Sequence, residues 1–157
     1  MGSLQEAATE FLGSDGIAVV GVSRDARNAA NAIYRKLRGG GARVIPVNGR
    51  AREVEGDACY PDLKSIPGGV QAVLIVAPPQ ATVDVVHQCA DLGVRRVWIH
   101  GSFGCGSVSA EAVAYCRQKD IRVIAGACPM MFHAPVDGWH RCLRTVCRWF
   151  GRLPRGA

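Results

Sequence analysis

Four short segments carry the residue types that hold a phosphorylated ligand. The first, Gly21-Val22-Ser23-Arg24, follows an apolar run and precedes a helical stretch. Glycine there lets a ligand approach the backbone. A helix N-terminus adds free N–H groups and a positive dipole end, and Ser23 adds a hydroxyl, so a phosphate or pyrophosphate suits the place. Gly21 also has a plainer reading, a tight strand-to-helix turn and nothing more. The second segment, Pro46-Val47-Asn48-Gly49-Arg50, has Arg52 close behind. Nicotinamide dinucleotide sites use an acidic residue at that point to hold the ribose hydroxyls. Neutral and basic groups there favour a phosphorylated ribose instead. The third segment, Val76-Ala77-Pro78-Pro79, offers an apolar wall, and the fourth, Gly101-Ser102, offers small residues. Arg24, Arg35 and Arg50 are the cations expected near phosphates.

Few other groups could do chemistry. The histidines are His87, His100, His133 and His140. A zinc set of Cys128, His133, His140 and Cys142 would have spacings that match no common pattern. No G-x-S-x-G elbow is present, because Gly101-Ser102-Phe103-Gly104 is spaced differently. Paired carboxylates near the expected strand ends are absent, so no catalytic residue is assigned. Seven cysteines without a C-x-x-C pair make an odd count, which argues against a secreted disulfide framework. Most are expected to be small buried hydrophobes in a reducing compartment. Cys105 and Cys128 fall in loops at the expected ligand edge, where a reactive thiol would form a mixed disulfide with a thiol ligand.

The elements that must position these segments follow from five apolar runs rich in Val and Ile: Ile17–Val22, Val44–Val47, Val70–Ala77, Val94–His100 and Ile121–Ala125. Short continuous apolar runs suit strands buried on both faces, the condition inside a parallel sheet. Helical stripes lie between them: Ala30, Ile33, Tyr34 and Leu37, closed by Gly39-Gly40-Gly41; Val83, Val86 and Ala90, opened by Pro78-Pro79; and Ala112, Val113 and Cys116, with Ser109 as N-cap. A further helix is expected at Leu4–Leu12. Residues 48–69, rich in Gly and Pro, are expected to be a loop with at most one helical turn near Asp62–Ile66. The alternation predicts an α/β, doubly wound, Rossmann-like five-stranded parallel sheet with helices on both faces and an extra C-terminal helix. Ligands of such sheets bind beyond the carboxyl ends of the strands. All four segments above sit at those ends.

The chain divides into a domain over 1–135 and a basic amphipathic helix over 136–157. Residues 136–157 hold five arginines and one aspartate, a surplus of four of the net charge of +6. Val136, Trp139, Leu143, Val146 and Phe150 form its apolar stripe, and Arg141, Arg144, Arg148 and Arg152 populate much of the rest. The plain reading is a helix docked on the domain or on a partner copy. Sharper readings are a contact with nucleic acid or an anionic membrane. Nucleic acid is disfavoured, because aromatic and basic residues do not interleave on a strand platform. No apolar run approaches the roughly 20 residues of a membrane span. Met1 to Thr9 lacks a basic start and a greasy stretch, which predicts a cytoplasmic protein.

Together, G-V-S-R at Gly21–Arg24, I-P-V-N at Ile45–Asn48, V-A-P-P at Val76–Pro79 and A-C-P at Ala127–Pro129 resemble the CoA-binding domain family. The chain is similar to the N-terminal domain of the succinyl-CoA synthetase alpha subunit, and closer to small stand-alone bacterial CoA-binding proteins. The resemblance runs from about Ile17 to Phe132. It implies that Gly21, Val22 and Ser23 touch nucleotide phosphates. Pro46, Val47, Asn48, Val76, Ala77 and Pro78 would line the adenosine and pantetheine paths, with Gly101 and Ser102 beside the far side of the groove. Where the synthetase turn has a second glycine, this chain has Arg24 and Asp25. The expected ligand is therefore coenzyme A or an acyl-CoA, in a sensing, carrier or regulatory role, with a homodimer or a larger enzyme as partner. The alternatives are an NADP-dependent oxidoreductase, which would need a hydride site and a proton donor, and an interaction module acting through the C-terminal helix.

Overall fold

Alternating Val and Ile residues build the sheet, because each strand must bury both of its faces. The computed structural model describes residues 3–101, 106–149 and 153. The strands are β1 (Ile17–Val20), β2 (Val44–Val47), β3 (Glu53–Val54), β4 (Asp57–Ala58), β5 (Ala72–Ile75), β6 (Arg96–His100) and β7 (Arg122–Ala127). The helices are α1 (Leu4–Leu12), α2 (Ala29–Gly39), α3 (Pro79–Asp91), α4 (Ala110–Gln118) and α5 (Gly138–Trp149), with a short 3-10 turn at Pro129–Met131. Five strands pair in parallel in the order β2-β1-β5-β6-β7.

The pleat sorts side chains into two cores. Val19, Leu74, Trp98 and Ile124 stand in register across one face, under α1, α2 and the turn after β7. Ala18, Val73 and Val97 stand on the other, under α3 and α4, with Val85, Cys89, Ala112 and Cys116. Local signals agree with these elements. Ser3 and Glu6 form a reciprocal capping box at α1, Ser109 caps α4, and Pro79 opens α3 at its first turn.

Two features differ from expectation. Residues 48–69 are not only loop, because β3 and β4 form a small antiparallel hairpin around Glu55-Gly56, and 61–68 are turns. Helix α5 meets the body through Leu143 and Cys147, while Trp139 stays 72% exposed, so the apolar stripe is only partly covered. Phe150 and Arg152, placed on that helix by the periodicity, lie outside the described residues.

Candidate functional site

Strand order reverses between β1 and β5, and in open α/β sheets the ligand crevice lies beyond the carboxyl ends of the strands at such a switch point. Gly21 leaves β1 with its N–H donating to the Val47 carbonyl at 3.0 Å, while the Val76 N–H donates to the Val20 carbonyl at 2.9 Å. Gly21 has φ +106°, and a Cβ on it would lie 1.9 Å from the Val76 carbonyl oxygen. The turn requires a glycine here, which is the plainer of the two readings of this residue.

The following loop is long. Helix α2 begins only at Ala29, eight residues after Gly21, rather than directly after a small turn. Asn28 caps it by accepting the Ala30 N–H. Asp25 is exposed and pairs within the loop, accepting from the Arg27 guanidinium and N–H, which hold the Asp25 carboxyl below its usual range. Ser23 is half-buried and engaged by its neighbours. Its N–H donates to Asn31 Oδ1 at 2.9 Å, and its Oγ accepts the Asp25 N–H at 3.1 Å. The backbone N–H groups of Val22, Arg24 and Ala26 have no hydrogen-bond partner among the described residues. Val22 buries its side chain completely, so only its backbone can face the crevice.

Asn31, 1% exposed, is the hub of this loop. Its Nδ2 donates to the Ser23 carbonyl at 2.7 Å and to Glu55 Oε1 at 2.7 Å. Asn31, and the Arg35 guanidinium beside it, hold the Glu55 carboxyl below its usual range. Arg35, expected near phosphates, is a brace. It pairs with Glu55 at 2.7 Å and donates to the Ala26 carbonyl at 3.1 Å. The Tyr34 hydroxyl donates to Asp57, which Arg38 also pairs, and these two partners hold the Asp57 carboxyl below its usual range. The β3–β4 hairpin is thus fastened to α2, and α2 to the loop. Asn31→Ala leaves the Ser23 N–H and Glu55 without that partner. An unmet buried donor costs about 1–3 kcal/mol, and the urea midpoint is expected to fall accordingly.

The other expected residues sort into surface and interior. Arg24 and Arg50 are exposed. Asn48 is bound on both sides, donating from Nδ2 to the Val22 carbonyl at 2.8 Å and accepting the Arg50 N–H at 2.8 Å. Pro46 and Val47 are buried below the rim. Val76 and Ala77 are half-buried and Pro78 is exposed, which leaves an apolar lip at the β5 end. Gly101 is buried where β6 crosses Gly126, whose Cα would lie 2.3 Å from a Cβ on it. Ser102 and Cys105 lie outside the described residues.

Ser107 is a residue the sequence did not single out. Its Oγ accepts the Ala77 N–H at 2.9 Å, its N–H donates to the His100 carbonyl at 2.9 Å, and its carbonyl accepts from Thr82 Oγ1 at 2.8 Å. It ties the β5 lip to the end of β6. No residue pattern announces it, because its partners come from three separate elements. Asn31 was equally hidden, whereas the hairpin had a signal in Glu55-Gly56, a two-residue turn with both φ values positive.

Cys128 does not suit a reactive thiol. It is buried, and burial pushes its pKa up, so little thiolate forms near neutrality. The six described cysteines are free thiols, and five of them are buried. Among the described residues no helix is long and apolar enough to cross a membrane, and no three His, Cys, Asp or Glu side chains cluster as metal ligands.

A family described as CoA binding domain matches residues 15–134, and the chain belongs to that family. The alpha subunit of ADP-forming acetate–CoA ligase II from Pyrococcus furiosus is 36% identical over 90 residues, covering 57% of this chain and 20% of the ligase subunit. ADP-forming acetate–CoA ligase I from Archaeoglobus fulgidus is 34% identical over 130 residues, covering 76% of this chain and 18% of the ligase. This chain thus spans about a fifth of the length of those relatives. Among solved structures, a protein of Pyrococcus horikoshii OT3 superimposes with a TM-score of 0.78 at 29% identity, covering 86% of this chain and 93% of its own.

Proposed function

We propose that this member of the CoA binding domain family holds CoA or an acyl-CoA across the β1/β5 crevice and serves as a sensor, carrier or regulated component of CoA metabolism. One observation carries the reading: in the loop that follows Gly21 at the switch point, the N–H groups of Val22, Arg24 and Ala26 have no partner among the described residues, and Arg24 and Arg50 are exposed at the carboxyl ends of β1 and β2. Backbone donors with arginines suit a pyrophosphate and a ribose phosphate. The half-buried lip of Val76 and Ala77 with Pro78 suits the less polar pantetheine. The ligase relatives, whose names specify CoA as a substrate, favour the same ligand over a nicotinamide nucleotide.

Isothermal titration of nucleotide-stripped protein with CoA, dephospho-CoA, NADP and NAD tests this. CoA is expected to bind at least tenfold more tightly than dephospho-CoA, and far more tightly than either nicotinamide nucleotide. Hydrogen bonds to charged groups contribute about 1.5–3 kcal/mol, so R24Q/R50Q is expected to weaken CoA binding by about tenfold or more. NADP binding without CoA binding would overturn the reading in favour of a nicotinamide enzyme.

A further inference from the structure

Helix α5 is not used by the crevice, and its surface is unlike the rest of the molecule. Trp139 is 72% exposed and Trp149 is 91% exposed, whereas Trp98 is fully buried. At about 100° per residue, the undocked arc runs through Trp139, half-buried Val146, Cys142 and Trp149, then Thr145, Arg141 and Arg148. The docked side is Leu143, Arg144 and Cys147. The two indoles lie about 15 Å apart along the axis and about 80° apart around it. They form one apolar ridge flanked along its length by arginines.

A groove of about 550 Å³ runs beside this arc, between α5 and the start of α1. Arg144 and Arg148 reach it alongside Leu4, Phe132 and Leu153, and among the described residues no carboxylate lines it. Helix α5 carries no acidic residue. Asp137, just before it, is occupied by the His140 ring and N–H.

The geometry points to α5 as a docking face for an anionic lipid bilayer. Its indoles enter the headgroup boundary, and Arg141 and Arg148 meet lipid phosphates or carboxylates. Tryptophan prefers that boundary because its ring is apolar and its N–H polar, and basic residues there gain from the negative surface. Charge decides against a second copy. An α5-to-α5 pairing would set arginines against arginines with no acid on either helix to neutralise them. Shape decides against nucleic acid, whose phosphates would cover the arginines and leave the tryptophan ridge in water. This inference is independent of what occupies the crevice.

The test is co-sedimentation of the full chain with phosphatidylcholine vesicles, with and without phosphatidylserine, read together with tryptophan emission. The chain is expected to pellet only with the phosphatidylserine vesicles, to shift its emission to the blue, and to be released by salt. R141Q/R148Q is expected to lower partitioning about thirtyfold, the factor two surface charges supply. W139S/W149S is expected to abolish the emission shift. These four side chains are exposed, and far-UV circular dichroism with CoA titration checks that each variant is folded. Equal partitioning onto neutral vesicles, or partitioning indifferent to these substitutions, would overturn the inference. So would a dimer lost in W139S/W149S, or tight binding of a short nucleic-acid duplex, where vesicle binding is absent.

Discussion

Gly21→Ala is expected to destabilise the protein by about 2–6 kcal/mol, combining roughly 1–3 for backbone strain with 1–3 for overpacking. The backbone sits at φ +106°, a region side chains rarely adopt, and the new methyl would lie 1.9 Å from the Val76 carbonyl oxygen. That oxygen belongs to the β5 end, which the Val20 carbonyl and Ser107 hold in place through the N–H groups of Val76 and Ala77. The β5 lip must therefore shift away from β1, closing or distorting the crevice. Urea unfolding reads the stability loss, and titration with CoA reads the site. Gly41→Ala is the control. It has φ +83° with nothing within 4 Å of the added Cβ, so it carries strain without collision. If the two variants lose equal stability, the close approach at Gly21 is not what requires glycine there.

Trp98→Ala is the second large effect, expected to cost about 3–5 kcal/mol, as for other buried large aromatics. Trp98 has no exposed surface and packs edge-on against Phe11 with ring centroids 5.3 Å apart, with Phe132 at 5.7 Å. It is the middle of the row Leu74, Trp98, Ile124, so the loss opens a cavity beneath α1. Its Nε1–H also donates to the Ala127 carbonyl at 2.9 Å, an oxygen that accepts the Gly101 N–H at 3.2 Å as well. Trp98→Phe keeps most of the packing and removes that donor with part of the indole volume, a smaller loss of which the hydrogen bond is about 1 kcal/mol, because Gly101 still satisfies the carbonyl. Chemical denaturation of both variants separates packing from hydrogen bonding. A Phe variant as unstable as the Ala variant would show that the ring's volume is not what matters.

What the sequence by itself determined was the local grammar of the fold. Both strand faces had to be buried, so runs such as Ala72–Ile75 read as parallel strands, and caps such as Ser3 and Ser109 marked where helices begin. The carboxyl-edge rule then places Gly21, Asn48, Val76 and Gly101 at one end of the sheet. These are properties of neighbouring residues, and a chain carries them openly.

Only the tertiary structure decided which of those residues face outward. Ser23, Asn48 and Arg35 carry the right chemistry for a phosphate, yet their hydrogen bonds go to Asn31, Val22, Arg50, Glu55 and Ala26. The donors left without a partner among the described residues are instead backbone groups, which have no sequence signature. Asn31 and Ser107 were invisible for the same reason, since each joins segments up to 30 positions apart in the chain. The rotation of α5 was hidden as well. Periodicity finds an apolar stripe, but how much of it the body covers depends on the width of the seat that Phe132 and the turn after β7 provide. That seat takes Leu143 and Cys147 and leaves two tryptophans in water.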